Sequence, residues 1–433
     1  MRIGVDGYNL ALPHGTGVAT YGAALVPVLR SMGHQVTGIF GLNVDGAAAR
    51  REVLFFDSLQ RPQPVRRRKP FAAWVRDAGR IVAGPVLRDV PLTDNVEKGV
   101  YQDRFPTFDR LVSARDLFGL AHLLFRRTGR FLTVRMPDPP DVMHWTYPVP
   151  LRMASARNVY TLHDLVPLKL PYATLDAKRG YFTLIEQCLR HADQLCTVSE
   201  RSRQDVIAQF GVDPARITNS YQTAPLPADI IAGDPDRDAA VVEGVFGLKR
   251  RGYFLYYGAI EPKKNVQRLV EAYLSSGITT PLVIVGKSWG AAAEQALTGA
   301  GDPENGLYGR TVSERIMRLD YLPRSLLLRL VRGARALTFP SLYEGFGLPV
   351  LEAMTLGTPV LTSTTGAVPE ITGNAALLVD PYDIGAITAG LLRLDRDGDL
   401  RARLEQAGPV QAERFSEDAY RTRLAALYAA AMG

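Results

Sequence analysis

Residues 344–352 read EGFGLPVLE, two glutamates eight positions apart with Gly345, Gly347 and Pro349 between them. Pro349 opens a helix that Gly357 ends, so Gly345, Phe346, Gly347 and Leu348 lie at a helix N-terminus. The first N–H groups of a helix have no partner within it, and together with the helix dipole they suit an anion. The glycines let a ligand come close to the backbone. A carboxylate beside an anion would repel it. Glu344 and Glu352 therefore fit a ligand that also offers hydroxyl donors, such as a diphosphate with a sugar at one end and a ribose at the other. Glu344, in the loop, faces the sugar, and Glu352, about one turn into the helix, takes the ribose hydroxyls. Many α/β turns share this glycine pattern, and the plainer reading is a solvated Glu344 and a Glu352 that serves the helix dipole.

A second cluster supports the first. YYGAIEPKKN (256–265) places Lys263 and Lys264 at a strand-to-helix turn. Two ammonium groups there would neutralise a diphosphate and stabilise it as a leaving group. NVYTLHD brings His163 to a strand end. His144 and His163 have no third metal ligand nearby, so His163 is read as an active-site residue and His144 as structural. The Asp-x-Asp segments at 234–236 and 395–399 are read as solvated loop aspartates, and no metal is expected. HGTG (14–17) contains Gly15 and Gly17 but not a complete dinucleotide fingerprint.

The elements that must position these residues alternate strand and helix. RIGVDG, HQVTGIFG, DVMHW, NVYTLHD and QLCTVS read as strands of a first set, with 61–135 irregular, basic and partly helical over LFGLAHLLFRRTGRFL. SERSRQDVIAQFG is a helix capped by Ser199 and ended by Gly211. A Pro- and Asp-rich stretch, 224–246, reads as a linker with a short helix, and YFLYYGAI begins a second set. Such alternation implies parallel, doubly wound sheets that bind ligands at the carboxyl ends of their strands. The expected fold class is α/β with two Rossmann-like domains facing across a cleft. They are residues 1–228 and 246–415, with 416–433 as a final helix packing back on the first domain.

The chain of 433 residues is long for one domain, and its net charge of +7 is unevenly placed. Residues 61–90 hold eight basic side chains against Asp77 and Asp89, interleaved with Phe71, Trp74, Ile81 and Val82. This pattern suits an anionic membrane face. No nucleic-acid-binding signature is present. Cys188 and Cys196 form no metal cluster or disulfide framework, and no signal peptide or membrane span is read. The expected location is the cytoplasm, peripheral to the inner face of the membrane.

Gly258–Asn265 together with EGFGLPVLEAMTLGTPV resembles the retaining GT-B glycosyltransferases of family four. TLHDLVPL (161–168), TVSERSRQDV (197–206) and FGVDPARI (210–217) look like its pieces in the expected order. The resemblance covers 150–390 well, 1–22 loosely and 45–135 hardly at all. It implies that Glu344 binds the donor sugar, Glu352 the ribose and Lys264 a phosphate. It further implies that His163 lies near the reacting carbon and that Gly15 and Gly17 approach the diphosphate. Lys263 stands where an arginine is commoner, and ARI is followed by TNSYQTA instead of the family's short apolar strand and Asn-Gly. Ser363, Thr364 and Thr365 would line the donor pocket. The implied activity is metal-independent, retaining transfer of a sugar from a nucleotide-diphosphate sugar, bound by the second domain, to a glycan or lipid-linked acceptor, bound by the first, in surface polysaccharide synthesis; GDP-mannose is favoured as donor, with a UDP-sugar or a deoxysugar donor left open. A nucleotide-sugar epimerase or sugar phosphorylase on the same fold, or an inactive binding subunit, is the alternative.

Overall fold

The computed structural model describes the chain except residues 13–16, 61–76, 78, 83, 94–95, 97–104, 175–176, 288–309 and 314. Two doubly wound sheets form the frame. The first contains β1 (Arg2–Asp6), β2 (Gln35–Phe40), β3 (Arg88–Val90) and β4 (Arg110–Ser113). The small strands β5 (Leu132–Val134) and β7 (Leu151–Met153) pair with each other apart from it. The first sheet continues with β6 (Val142–Trp145), β8 (Arg157–Leu162), β9 (Gln194–Thr197) and β10 (Ile217–Asn219). Its order is β10-β9-β8-β6-β1-β2-β4-β3. The second sheet contains β11 (Phe254–Tyr257), β12 (Leu282–Val285), β13 (Arg310–Ser313), β14 (Ile316–Leu319), β15 (Ala336–Phe339), β16 (Val360–Ser363) and β17 (Leu377–Val379). Its order is β13-β14-β12-β11-β15-β16-β17. Chain order reverses between β1 and β6 in one sheet and between β11 and β15 in the other, which is where such folds open a ligand crevice.

The central strands β6, β9, β11, β12, β15 and β16 are buried along their whole length, as parallel strands covered on both faces must be. The region 61–135, read as irregular, also contributes β3 and β4, which extend the first sheet. These strands have three and four residues, too few for alternation to reveal them. Ser199 caps the Glu200–Phe210 helix by accepting from Ser202 N–H, and Gly211 ends it at φ +63°.

Of the aspartates read as solvated, Asp236 and Asp399 are exposed, and three have a further role. Asp234 and Asp397 cap helices, and Asp395 pairs with Arg335 at 2.5 Å. The Pro235–Phe246 helix, placed in the linker by sequence, packs on the Arg324–Gly333 helix, where buried Asp238 holds both Arg329 and Arg332. The final helix, Glu417–Met432, lies against β8, β9 and β10 of the first sheet. Its Tyr428 hydroxyl bonds His144 Nδ1 at 2.7 Å, and His144 Nε2 meets Thr161 at 2.7 Å. Burial lowers the His144 pKa to about 3, so this histidine is a neutral core group, as its structural reading requires.

Candidate active site

The two turns of the second sheet are joined by hydrogen bonds. Lys263 and Lys264 sit in the single turn Pro262–Lys264 after β11, and Asn265 follows in the left-handed region at φ 61°. Asn265 Nδ2 donates to the carbonyls of Pro340 at 2.9 Å and Pro381 at 2.7 Å. Leu342 N–H donates to the Lys263 carbonyl at 2.8 Å. Lys264 Nζ thereby reaches Glu344 Oε1 at 2.7 Å, with both side chains largely buried, and also lies over the Phe339 ring. An ammonium has three donors, so Lys264 can hold Glu344 and a phosphate oxygen together. Burial acts to strip the charge from Lys263, but Asp164, Glu344 and Glu261 more than offset it and raise its pKa. Lys263 is a cation at any working pH.

Gly347, at φ +104°, turns the chain into the Leu348–Thr355 helix, with Pro349 in its first turn. Among the described residues nothing accepts from the N–H groups of Phe346, Gly347 or Leu348, which leaves a helix start whose free donors suit an anion. Gly345 has a different reason to be glycine than the sequence suggested. A Cβ there would lie 2.2 Å from the His163 carbonyl oxygen, so this residue makes room for the opposite domain. The Phe346 side chain faces no cleft. It packs edge-on against Phe415 with ring centroids 5.6 Å apart, so only its backbone is available to a donor. Ser363 and Thr365 donate to the carbonyls of Ser341 and Leu342 and so brace the Glu344 loop.

Glu352 is buried and already gripped. Arg324 spans its carboxylate with Nη2–Oε1 at 2.6 Å and Nη1–Oε2 at 3.1 Å, and the Tyr257 hydroxyl donates to Oε2 at 2.5 Å. A carboxylate offers about four acceptor sites, so one remains open to a further donor. Neither Arg324 nor Tyr257 was indicated by sequence. Both lie far from Glu352 along the chain, and an arginine opening a helix has no local signature.

His163 follows β8 in the first domain, across the cleft. Its Nε2 meets the Thr146 carbonyl at 2.8 Å. A carbonyl only accepts, so Nε2 carries the proton and Nδ1 presents a lone pair. Burial lowers its pKa, aided by Lys263 and opposed by Thr146 and Asp164, and the ring is neutral at working pH. Tyr21 stands edge-on to the ring at 5.0 Å. Below it, Asp6 is fully buried at the end of β1 and accepts from the N–H groups of Tyr8 and Thr146. Gly17 begins the Gly17–Ser31 helix, and Gly15 lies outside the described residues. Most of the basic, apolar stretch 61–90 lies outside them too.

The family described as Glycosyl transferases group 1 matches residues 245–411, and that described as Glycosyltransferase Family 4 matches 15–219. The O-antigen chain mannosyltransferase B of Escherichia coli is 33% identical over 266 residues, covering 60% of this chain and 67% of that protein. The chain belongs to the GT-B glycosyltransferases. Another relative of this GT-B enzyme is the MMP alpha-(1->4)-mannosyltransferase of Mycolicibacterium hassiacum, 30% identical over 256 residues, 58% of this chain and 57% of that protein. The chain therefore spans between half and two thirds of the length of these relatives. Among solved structures, Anabaena Alr3699/HepE in complex with UDP-glucose shares the fold at a TM-score of 0.64 and 13% identity, over 99% of both chains. Among the described residues of the glycosyltransferase, no helix is long and apolar enough to cross a membrane.

Proposed function

We propose that this GT-B glycosyltransferase is a retaining mannosyltransferase that moves mannose from GDP-mannose to a hydroxyl of a lipid-linked glycan during surface polysaccharide synthesis. The observation that carries the reading is the Lys264–Glu344 pair, held beside the second lysine and a helix start and facing His163 across the cleft. Cations and N–H groups converge where a diphosphate would leave, and carboxylates remain for hydroxyls. The relatives named as mannosyltransferases support the sugar, and the UDP-glucose complex of a structural neighbour supports a nucleotide-sugar donor.

In this reading Glu344 Oε2 accepts from a sugar hydroxyl while Oε1 stays on Lys264. Lys263, Lys264 and the N–H groups of 346–348 take the charge that builds on the departing diphosphate, without a metal. The C1–O bond to phosphate breaks as the acceptor oxygen bonds C1 on the same face, and the acceptor's proton passes to the leaving phosphate oxygen. Cleft closure excludes water and aligns the reactants. Val82 and Val86, 88% and 71% exposed, lie near Arg80 and Arg88 in sequence and supply apolar and basic contacts for an anionic inner membrane face.

The test is thermal-shift screening of nucleotide sugars followed by transfer assays with chelator present. GDP-mannose should stabilise the protein and yield an α-linked product, and Glu344→Ala should cut transfer by orders of magnitude while the fold persists. Near-normal turnover of Glu344→Ala, or a product of inverted configuration, defeats the reading.

A further inference from the structure

The Glu344 loop is held from both domains. On its own side the Thr365 hydroxyl donates to the Leu342 carbonyl at 2.8 Å, and Ala367 N–H donates to the Glu344 carbonyl at 3.0 Å. From the opposite side comes the first turn and a half of the Glu200–Phe210 helix. Ser202 Oγ donates to the His163 carbonyl at 2.7 Å and lies 3.4 Å from the Gly345 carbonyl, so one hydroxyl stands between the histidine and the donor loop. Arg201 N–H donates to Glu370 Oε1 of the second domain at 3.2 Å. One turn on, buried Asp205 accepts from the hydroxyl of Tyr343, the residue before Glu344.

The surroundings of Asp205 distinguish this contact from an ordinary surface bond. Lys169 Nζ lies 2.6 Å from Oδ1 and Arg201 Nε 3.5 Å from Oδ2, both from Asp205's own domain. Tyr343 is the partner that crosses. Burial, with Asp205 itself, raises the phenol's pKa, so Tyr343 remains a donor at working pH. A small apolar cluster of Val166, Leu170 and Ala173 against Leu342 and Tyr343 shields the bond from water. A charge-assisted hydrogen bond in such a setting is strong and directional.

We infer that Asp205 is a positioning residue for sugar transfer. Acting from the acceptor domain through Tyr343, it fixes the loop that aims Glu344, so the donor-gripping carboxylate is in place only when the two domains meet. The inference rests on the reading of Glu344 as a donor-sugar ligand.

The test uses the full chain with three variants: Tyr343→Phe, Asp205→Asn and the pair together. The probe for donor-side binding is GDP or UDP, whichever stabilises the parent, measured by calorimetry. Each single variant should lower kcat about tenfold, the size of one hydrogen bond to a charged group. Nucleoside-diphosphate affinity should stay within about twofold, because the lysines and the helix start belong to the donor domain. The double variant should lose less than the sum of the two single losses, since the Tyr343–Asp205 bond is common to both even though Asp205 also pairs with Lys169 and Arg201. Unchanged kcat in Tyr343→Phe, additive losses, or a fall in nucleotide affinity equal to the fall in kcat would overturn the assignment. Glu344→Ala serves as the control. If it abolishes transfer while Tyr343→Phe is active as the parent, only the Asp205 role falls, whereas full activity of Glu344→Ala removes the reading beneath it.

Discussion

Arg324 holds Glu352 by both guanidinium nitrogens, at 2.6 and 3.1 Å, at the point where the second domain would meet a ribose. The fork fixes the carboxylate plane and leaves one acceptor site open. Arg324→Ala should therefore raise the donor KM about tenfold with kcat little changed, and Arg324→Lys should recover only part, because a lysine cannot form the two-pronged contact. Steady-state kinetics with donor varied decides this. A lower KM would mean that the arginine occupies the ribose's own place.

Lys264 and Glu344 form a largely buried pair, and without Lys264 the carboxylate loses its direct partner and keeps only the field of Lys263. Lys264→Met should cost about 3 kcal/mol of stability as well as activity. Adding Glu344→Gln should restore most of the stability and none of the transfer. Urea unfolding beside the transfer assay separates the two effects.

Gly345→Ala should act on the meeting of the domains. The added methyl would stand 2.2 Å from the His163 carbonyl oxygen, and backbone cannot yield as a flexible side chain does. Transfer should fall on the order of 100-fold, the cost of a displacement of about 1 Å between reacting groups. Nucleoside-diphosphate binding, measured by calorimetry, should persist.

Asp6 supplies a pH signature. Burial raises its pKa from 3.8 to about 6, against the N–H groups of Thr146 and Tyr8 that favour the charge. Between those values the folded chain binds more protons than the unfolded one, so this residue's contribution to stability falls as pH rises through the window and is level above it. The total is about 3 kcal/mol. Urea titrations of the parent and Asp6→Asn from pH 4 to 7 should differ by that slope. Parallel curves would show that Asp6 titrates normally.

The sequence carried the parts of this structure that local chemistry dictates. Ser199 and Gly211 bound a helix because a hydroxyl satisfies a free N–H and a glycine takes positive φ. Pro349 and Gly357 did the same around Glu352. The lysine turn and the glutamate loop could be assigned to one crevice because parallel strands put all their carboxyl ends on one side. The sequence did not reveal contacts between distant residues. Tyr343 with Asp205, Arg324 with Glu352 and Gly345 with His163 each join segments with no shared periodicity. β14 was missed because Ile316–Leu319 is short and puts Arg318 inside. The Asp234 cap was legible in hindsight, since Asp-Pro at a helix start is a boundary signal.

The chain passes between its two lobes near Tyr221 and again near Phe415, and these rings meet edge-on at 5.3 Å, with Arg423 above Tyr221 at 4.8 Å. Two passages side by side make a spine, stiff to shear and compliant to bending. Phe346 rests on the same Phe415, so the pivot and the donor loop share a wall. When the lobes part, the Phe346 end of that loop should move least of the cleft's rim, as the page nearest the binding of a book, while its Tyr343 end loses the hold from across the cleft.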